Sequence, residues 1–353
     1  MLIDIATANP PFKVLQEKAA EELKKRMAVQ PVTARLIDIA SSHSGIDTRF
    51  IVVPDAETEA MKKFYSVEGN YVNPGTQARM DEYEKWAKEL SKEAVRKILN
   101  ENNFSAKNIH RLITISCTGF FAPGMDYYLI EEFNIPRSVK RTNIGFMGCA
   151  ASIIGFNSVI EAMNSANGNT VNTLLVSLEL CSLHLQTEAT RDNILANMIF
   201  ADGCAAALFS NAGEYQNKST FTLMATESIL FDNSSQFMGW KIGNTGFEMI
   251  LSSELPKIIL NEAVPSLLCM LEKHGLNRNS IKHWALHPGG RAILDSLKDG
   301  LGLSEEEMLP SRTVLKNYGN MSSASILYVL KEIIDSKKVK PGEICCAVAF
   351  GPG

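Results

Sequence analysis

Apolar β-branched runs alternate with longer segments of helical periodicity along most of the chain. The runs at 114–117, 174–177 and 345–350 are apolar on successive positions and are bounded by Gly, Asn or Thr, which predicts buried strands. Apolar residues recur at helical spacing over 81–99 and 256–274, which predicts amphipathic helices. Strands that alternate with helices indicate an α/β fold with mostly parallel sheets.

The two halves of the chain resemble one another weakly. Three pairs of segments match in the same order and at nearly the same spacing: 109–115 with 281–287, 143–150 with 317–324, and 174–177 with 348–351. A constant order and spacing indicate a duplicated βα unit. The clearest polar break divides the chain into an N-terminal half over residues 1–212 and a C-terminal half over residues 213–353. We therefore expect equivalent loops of the two halves to meet near a pseudo-twofold axis.

Composition and charge exclude several classes of protein. The 353 residues carry 35 Lys and Arg against 39 Asp and Glu, and the net charge of -4 gives no support to nucleic-acid or anionic-membrane binding. No apolar stretch is long enough to cross a bilayer, and the first residues lack the features of a signal peptide. Seven scattered cysteines without a CxxC pattern fit neither a disulfide scaffold nor a zinc ribbon. We expect a soluble cytoplasmic protein with a large core.

Cys149 is the first candidate for chemistry. It follows Gly148 and precedes an apolar run over 150–163, which predicts a buried helix. A thiol at a helix N-terminus lies at the positive end of the helix dipole, which favours the nucleophilic thiolate. The alternative is a small apolar core residue. That alternative suits the cysteines inside apolar stretches, which are Cys181, Cys204, Cys269, Cys345 and Cys346.

His287 is the second candidate. It ends a predicted strand and precedes a Pro-Gly-Gly turn, from which a catalytic side chain can be presented, although an isolated histidine there would be structural. His283 shares the same strand face and leaves a two-histidine metal pair as an alternative, but no third ligand lies nearby in sequence. The remaining histidines lie in polar or helix-end contexts and are assigned no role; they are His43, His110, His184 and His274.

Asn320 lies in the segment that aligns with the Cys149 segment. In that alignment Asn320 takes the place of Phe146, and Ser323 takes the place of Cys149 itself. An uncharged amide can donate a hydrogen bond to a developing oxyanion, whereas an isolated Asn would more simply cap the following helix. Together Cys149, His287 and Asn320 offer a nucleophile, a proton-handling group and an oxyanion donor.

Six motifs run along the whole chain, at 44–50, 117–126, 148–150, 287–294, 317–324 and 350–353. In this order they resemble the thiolase-like condensing enzymes, and specifically the type III polyketide synthases of the chalcone synthase kind. The Pro-Gly-Gly after the histidine and the late Gly-Pro-Gly loop are the most specific, because ketoacyl synthase III enzymes usually have Ala-Asn after the histidine and lack that loop. Relatives normally continue into one more strand beyond the position of Gly353.

The resemblance implies a five-layered αβαβα thiolase-like fold built from two duplicated βα halves, a homodimer, and coenzyme A thioesters as substrates without a metal or another cofactor. It implies that Cys149 takes an acyl starter from acyl-CoA as a thioester, while His287 keeps the thiol ionised. His287 and Asn320 would stabilise the enolate that forms when malonyl-CoA loses carbon dioxide. Repeated Claisen condensation and cyclisation would then release a pyrone or a phenolic ring.

The resemblance also suggests which starter is used. Leu185 and Met249 align with positions at which plant relatives carry gatekeeping Phe residues. Ala122 replaces a Met that reaches across the dimer in plant relatives. Flexible aliphatic walls in place of flat aromatic ones predict a bacterial-type enzyme with an aliphatic acyl tunnel and a fatty acyl starter.

Other positions are expected to contact the substrates. Arg49 and Arg291 are candidates for the coenzyme A phosphates, or else are solvated surface arginines. The set expected to line the site is completed by Thr118, Gly351 and Pro352.

Three further functions remain open on the sequence. A single-round ketoacyl synthase III would take its extender from an acyl carrier protein, and the Pro-Gly-Gly after His287 argues against it. A silent acyl-binding partner subunit would have no need of intact Cys149, His287 and Asn320. A Cys-His-Asn hydrolase of the papain type is disfavoured by the duplication and by the mid-chain position of its nucleophile.

Overall fold

The computed structural model of the protein describes residues 1–27, 30–53, 64–67, 70–216 and 218–353. The strands in these ranges are β1 (Leu2–Ala8), β2 (Phe12–Leu15), β3 (Thr48–Ile51), β4 (Ser66–Val67), β5 (Asn70–Tyr71), β6 (Arg111–Ser116), β7 (Lys140–Gly145), β8 (Asn172–Leu180), β9 (Asp202–Ser210), β10 (Met238–Gly243), β11 (Gly246–Leu251), β12 (Ile281–Leu286) and β13 (Ile344–Val348). The α-helices are α1 (Gln16–Arg26), α2 (Pro31–Ser42), α3 (Thr76–Glu101), α4 (Met125–Phe133), α5 (Ala151–Asn164), α6 (Arg191–Ile199), α7 (Leu255–Ile258), α8 (Val264–Lys273), α9 (Arg291–Leu301), α10 (Glu305–Tyr318) and α11 (Ser325–Asp335).

The largest sheet has the strand order β1-β9-β8-β6-β7. Strands β7, β6 and β8 run parallel, whereas β9 pairs antiparallel with both β8 and β1. β8 and β9 are buried along their whole length, which accounts for their near-continuous apolar sequence. β7 forms one edge of the sheet and is mostly exposed.

Side chains alternate between the two faces of this sheet and build separate cores. Leu174 and Val176 of β8 pack in the core that contains α3 and α4, whereas Leu175 packs in the core that contains α5 and α11. Ala285 of the parallel pair β12–β13 joins the second core, and its neighbour Trp284 joins a third core with α8 and α9. The layers therefore follow the order α, β, α, β, α, which confirms the predicted fold.

The backbone repeats at the two aligned turns. Single helical turns at Gly148–Ala150 and Ser322–Ala324 lead into α5 and α11. Gly148 and Ser322 hold equivalent positions and both have positive φ angles, of 62° and 47°. Serine rarely adopts this conformation, so its presence indicates that the turn geometry matters at the site. The proposed division between residues 212 and 213 falls after β9, in the connection to β10.

The helix predicted over 256–274 is interrupted by a π turn at Ile259–Ala263, between α7 and α8. Pro265 lies in the first turn of α8 and has no backbone N–H, so the regular hydrogen-bond ladder cannot continue through it. Cys269 of α8 is exposed, and its interpretation as a core residue is wrong. The buried positions of α8 are Val264, Leu267 and Leu271, and Cys269 lies on the opposite face.

Among the helices described here, none combines the length and the apolar character that crossing a membrane would require.

Candidate active site

Cys149, His287 and Asn320 line one chamber, although they come from three distant segments of the chain. Cys149 lies in the single helical turn that leads into α5, His287 follows β12, and Asn320 precedes the turn Ser322–Ala324. The chamber encloses about 780 Å³ of space, its mouth included. All three side chains are almost completely buried, at 7%, 2% and 2% exposure. The pseudo-twofold arrangement therefore brings the three candidates together.

The loop at the C-terminal end packs directly on the turn that carries Cys149. A Cβ atom on Gly148 would clash with Cδ of Pro352, and a Cβ atom on Gly351 would lie 2.6 Å from the carbonyl oxygen of Met147. Glycine is therefore required at both positions by close approach, and at Gly148 also by its positive φ. Pro352 lines the chamber, as expected, whereas Gly351 contacts the turn behind it.

Burial favours the neutral form of the Cys149 thiol. Its Sγ donates to Oγ of Ser322 at 3.5 Å. Burial raises the pKa of Cys149 to about 12, and the nearby Glu179 carboxylate also raises it, while the contact with Ser322 lowers it. Loss of solvation thus outweighs the helix-end effect that predicted a thiolate.

The His287 ring has no hydrogen-bond partner in the described part of the chain, at either Nδ1 or Nε2. Burial lowers the pKa of His287 to about 3, so the imidazole is neutral. A neutral imidazole has one donor and one acceptor nitrogen, and both are available to a bound molecule. The resting ion pair expected between Cys149 and His287 is therefore not favoured by burial.

The Asn320 amide is partly used by the fold. Its Oδ1 accepts from the backbone N–H of Ser322 at 2.8 Å, and its Nδ2 donates to the carbonyl oxygen of Gly289 at 3.2 Å. An amide nitrogen carries two hydrogens, so one remains for a ligand. Asn320 therefore caps its turn, which was the structural alternative, and still offers a donor to the chamber.

Glu179 is a buried carboxyl at the site that sequence reasoning missed. It accepts from the Cys117 backbone N–H at 3.0 Å, from Thr118 Oγ1 at 2.9 Å and from the Ser323 hydroxyl. Burial raises the pKa of Glu179 to about 7, against the lowering effect of these hydrogen bonds. One carboxyl thus links the chamber residue Thr118 in the first half to the Ser322–Ala324 turn in the second. The available signal was one acidic residue in a strand that is otherwise uncharged and rich in Leu and Val.

His184, to which the sequence assigned no role, is buried at the end of the single helical turn Cys181–His184. Its Nε2 lies 2.7 Å from the carbonyl oxygen of Thr118, and its Nδ1 accepts from the Phe247 backbone N–H at 2.9 Å. The ring also stacks on Phe247 with centroids 4.2 Å apart. Burial lowers the pKa of His184 to about 3, and the neutral ring holds Thr118 and Phe247 in position.

A second chamber of about 890 Å³, its opening included, adjoins the first. Leu185 lies in this second chamber and is not among the residues that line the Cys149 chamber, whereas Met249 lines both. The wall shared by the two chambers consists of Cys181, Phe200, Trp240 and Met249. Phe200 and Trp240 were missed from the sequence, and they add two aromatic side chains to this wall beside Met249.

The two candidate arginines lie in different environments. Arg49 is 6% exposed, and its Nη1 donates to the carbonyl oxygens of Asn197 and Phe200, both at 2.7 Å. It is therefore neither a solvated arginine nor able to meet a phosphate group at the surface, which corrects both interpretations. Arg291 is exposed at the start of α9, with its Nε 3.5 Å from Oδ2 of Asp295.

The two-histidine metal pair gains no support. His283 lies on β12, and its Nε2 is 2.8 Å from Oε2 of Glu343. It is not among the residues that line the Cys149 chamber. Within the described ranges, no three His, Cys, Asp or Glu side chains are grouped as metal ligands would be.

Two family models match this chain. Residues 222–353 match the family model of the chalcone and stilbene synthases, C-terminal domain, and residues 63–230 match that of the FAE1/type III polyketide synthase-like proteins. A putative chalcone synthase from Bacillus subtilis is 30% identical, with 100% of this chain and 95% of that protein covered. The 1,3,6,8-tetrahydroxynaphthalene synthase from Streptomyces peucetius is 28% identical over 99% of this chain and 89% of that protein.

Solved structures share both the fold and detectable sequence identity. PKS-I from the brown alga Ectocarpus siliculosus superposes with a TM-score of 0.87 at 29% identity, covering 100% of this chain and 95% of that one. The tetrahydroxynaphthalene synthase from Streptomyces coelicolor gives 0.87 at 27% identity, covering 99% and 95%. The chain belongs to the type III polyketide synthases, chalcone synthase-like acyltransferases of the thiolase-like fold that form carbon–carbon bonds from coenzyme A thioesters.

Proposed function

We propose that this chain condenses malonyl-CoA repeatedly onto an aliphatic acyl starter held on Cys149, and that cyclisation releases a pyrone or a phenolic ring. One observation carries the proposal: Cys149, His287 and Asn320 line a single buried chamber, which adjoins a second, largely apolar one. The proposed chemistry uses only coenzyme A thioesters and no cofactor, because decarboxylation of malonyl-CoA supplies the carbon nucleophile.

Loading of the starter begins with Cys149 and His287 both in their neutral forms. Since burial keeps the Cys149 thiol protonated and the His287 imidazole neutral, the thiol proton passes to the imidazole as sulfur attacks the thioester carbonyl. The tetrahedral intermediate then expels coenzyme A, which leaves as a thiol with the proton from His287. A new carbon–sulfur bond to Cys149 replaces the one to coenzyme A.

In the extension step, Asn320 and His287 act as hydrogen-bond donors. The free hydrogen of the Asn320 amide and the His287 N–H donate to the thioester oxygen of malonyl-CoA as carbon dioxide leaves and an enolate forms. The largely apolar lining of the chamber disfavours water, which would otherwise protonate the enolate. The enolate carbon attacks the Cys149 thioester, and the cysteine sulfur is released for the next round.

The aliphatic starter is inferred from the second chamber. Its wall includes apolar side chains from several elements or their flanks, among them Val14, Leu23, Ile51, Val53, Leu185 and Met198. An acyl chain attached to Cys149 would pass the shared wall and bury its methylene groups there, at about 0.8 kcal/mol for each. The family alone does not decide the product, since relatives include proteins named for an α-pyrone and for a tetrahydroxynaphthalene.

We also propose that the protein is a homodimer. Strand β7 is an exposed sheet edge, and an uncovered edge offers unpaired backbone groups to a second copy. Phe120, Phe146 and Met147 are exposed close to the turn that carries Cys149, and a second copy would cover them. Sedimentation equilibrium of the wild type and of Phe120→Asp tests this: a dimer that the aspartate weakens supports it, and a wild-type monomer overturns it.

Mass spectrometry of the purified enzyme tests the function. The enzyme is incubated with malonyl-CoA and a panel of acyl-CoA starters, with Cys149→Ala as the control. Released pyrones or phenols that contain several malonate-derived units support the proposal, as does an acyl adduct on Cys149 that is absent from the variant. An adduct without polyketide product would indicate a single-round, carrier-dependent enzyme, and no adduct with any starter would favour the silent acyl-binding subunit.

A further inference from the structure

Arg49 places a buried, charged side chain in the wall of the second chamber. The side chain is 6% exposed, and its Nη1 donates to the carbonyl oxygens of Asn197 and Phe200. Its Nε has no hydrogen-bond partner within the described ranges. Buried polar groups are nearly always hydrogen-bonded, so an orphan N–H in a pocket wall points to a bound group.

The Arg49 guanidinium keeps its charge. Burial lowers the pKa of Arg49 to about 10, partly offset by Asp202, so the side chain is still protonated at neutral pH. No carboxylate in the described part of the chain lies within ion-pair distance of it. The Asp202 oxygens instead accept from the backbone N–H groups of Val52 and Ser182 and from the Ser182 hydroxyl. Arg49 is thus a buried cation, and its Nε–H is available to an acceptor oxygen of a bound group.

Other polar side chains of the same wall bond to the wall itself. Gln186 Nε2 donates to the carbonyl oxygens of Thr245 and Phe247, at 3.0 and 3.2 Å. Asn197 Nδ2 donates to the carbonyl oxygen of Gln186 at 2.7 Å. Arg26 and Glu22 pair with each other at 3.4 Å. The Arg49 Nε differs from these groups because no partner for it lies in the described ranges.

We propose that Nε of Arg49 binds an oxygen carried by the acyl chain in the second chamber. The preferred starter would then be an aliphatic acyl group with a hydroxyl or carboxylate at its far end, and not a plain fatty chain. A carboxylate gives the stronger bond because both partners are charged. The inference rests on the proposed function, since it requires an acyl chain on Cys149 to reach this chamber.

The test compares starters in matched pairs. Acyl-CoA thioesters of equal chain length, with either a terminal methyl or a terminal hydroxyl or carboxylate, are given to the wild-type enzyme across a series of lengths. At the length that brings the oxygen to Arg49, we expect kcat/KM to favour the oxygenated starter by about tenfold or more, the effect of one bond to a charged group. The methyl-terminated starters measure condensation without that bond.

Arg49→Lys tests the bond from Nε by a ratio that does not depend on how much of the enzyme is folded. Lysine retains the positive charge but lacks Nε, so the ratio of kcat/KM between the two starters should fall towards one. The ratio is taken on one preparation, so it does not depend on the fraction of active enzyme. Arg137→Lys is the matched control, because Arg137 is exposed and pairs with Glu131 at the surface; its ratio should equal the wild-type one.

The outcomes distinguish this inference from the proposed function. Absence of polyketide from every starter would overturn the proposed function itself. Condensation of methyl-terminated starters without any preference for oxygenated ones, at all lengths, would overturn only the role of Arg49. A preference that survives in Arg49→Lys would also overturn it, because the selecting group would then lie elsewhere.

Discussion

Desolvation governs the ionisable side chains around Cys149. Burial favours the neutral form of the Cys149 thiol, of the His287 imidazole and of the Glu179 carboxyl. A neutral chamber suits a reaction in which charge appears only while bonds are being made and broken, because donors in a site without water stabilise that charge strongly. The same reasoning yields two measurements, one on the thiol and one on the carboxyl.

Alkylation of Cys149 should depend steeply on pH. The thiolate is the reactive form, and a pKa raised to about 12 leaves only a small thiolate fraction at neutral pH. We therefore expect the iodoacetamide rate at Cys149 to rise about tenfold per pH unit from about pH 7 to about pH 9, without a plateau. Peptide mass spectrometry measures this rate, with the exposed Cys269 as an internal control. A plateau near neutral pH that disappears in His287→Ala would instead demonstrate a resting ion pair.

Glu179→Gln should change how stability depends on pH. The pKa of Glu179 is raised from 4.5 to about 7, so between these values the native state binds a proton that the unfolded state does not. Wild-type stability from this group is therefore present below about pH 4.5 and is lost as pH rises through 7. Glutamine cannot ionise, so the variant should gain on the order of 3 kcal/mol relative to the wild type between about pH 4.5 and about pH 8. If the unfolding free energies of the variant and the wild type differ by the same amount at both of these pH values, the pKa of Glu179 is not raised by burial.

At the scale of elements, the turn before α5 depends on contact between two distant segments. Gly148 has a positive φ of 62°, and its missing side chain makes room for Pro352. The C-terminal loop thus presses on the turn that aims Cys149. A side chain at Gly148 would have to displace either that loop or the turn.

Gly148→Ala should slow the acylation of Cys149 by more than a general loss of folding stability would explain. The matched control is Gly168→Ala, because Gly168 also has a positive φ, of 83°, but a Cβ atom there would meet no other atom of the described chain within 4 Å. Both variants should lose about 1 kcal/mol from the backbone conformation. Only Gly148→Ala should also lose about tenfold or more in the rate of adduct formation, measured by intact-protein mass spectrometry. Equal acylation rates in the two variants would show that contact with Pro352 does not position the thiol.

Sequence periodicity predicted the elements better than it predicted the environments of single residues. The strands and helices around Cys149 and His287 were predicted because burial on both faces and helical spacing leave a direct trace in sequence. Glu179, Phe200 and Trp240 were missed, and His184 was assigned no role, because their roles arise from contacts between distant segments. Arg49 shows the same limit: its charge suggests the surface, and only the fold reveals its burial.

At the scale of the whole molecule, the site exists because two halves are packed together. Thr118 and Cys149 come from the first half, and His287 and Asn320 come from the second, so neither half holds the proposed chemistry by itself. The second chamber is also built from both halves, since residues of β2, β3 and α6 and residues of β11 line it together. If the acyl chain enters the second chamber as proposed, chain-length selection depends on side chains there that lie outside the Cys149 chamber.

Leu185→Phe should shorten the acyl starters that the enzyme accepts. Leu185 lines the second chamber and not the first, so the larger ring should fill space that only a long chain needs. The expected result is a loss of about tenfold in kcat/KM for the longest starters, with little change for the shortest, since each excluded methylene costs about 0.8 kcal/mol. The matched control is Leu309→Phe on the exposed surface of α10, which should leave the profile unchanged. If Leu185→Phe also leaves it unchanged, the acyl chain does not enter the second chamber, and if short and long starters lose activity equally, the ring has disturbed the Cys149 chamber instead.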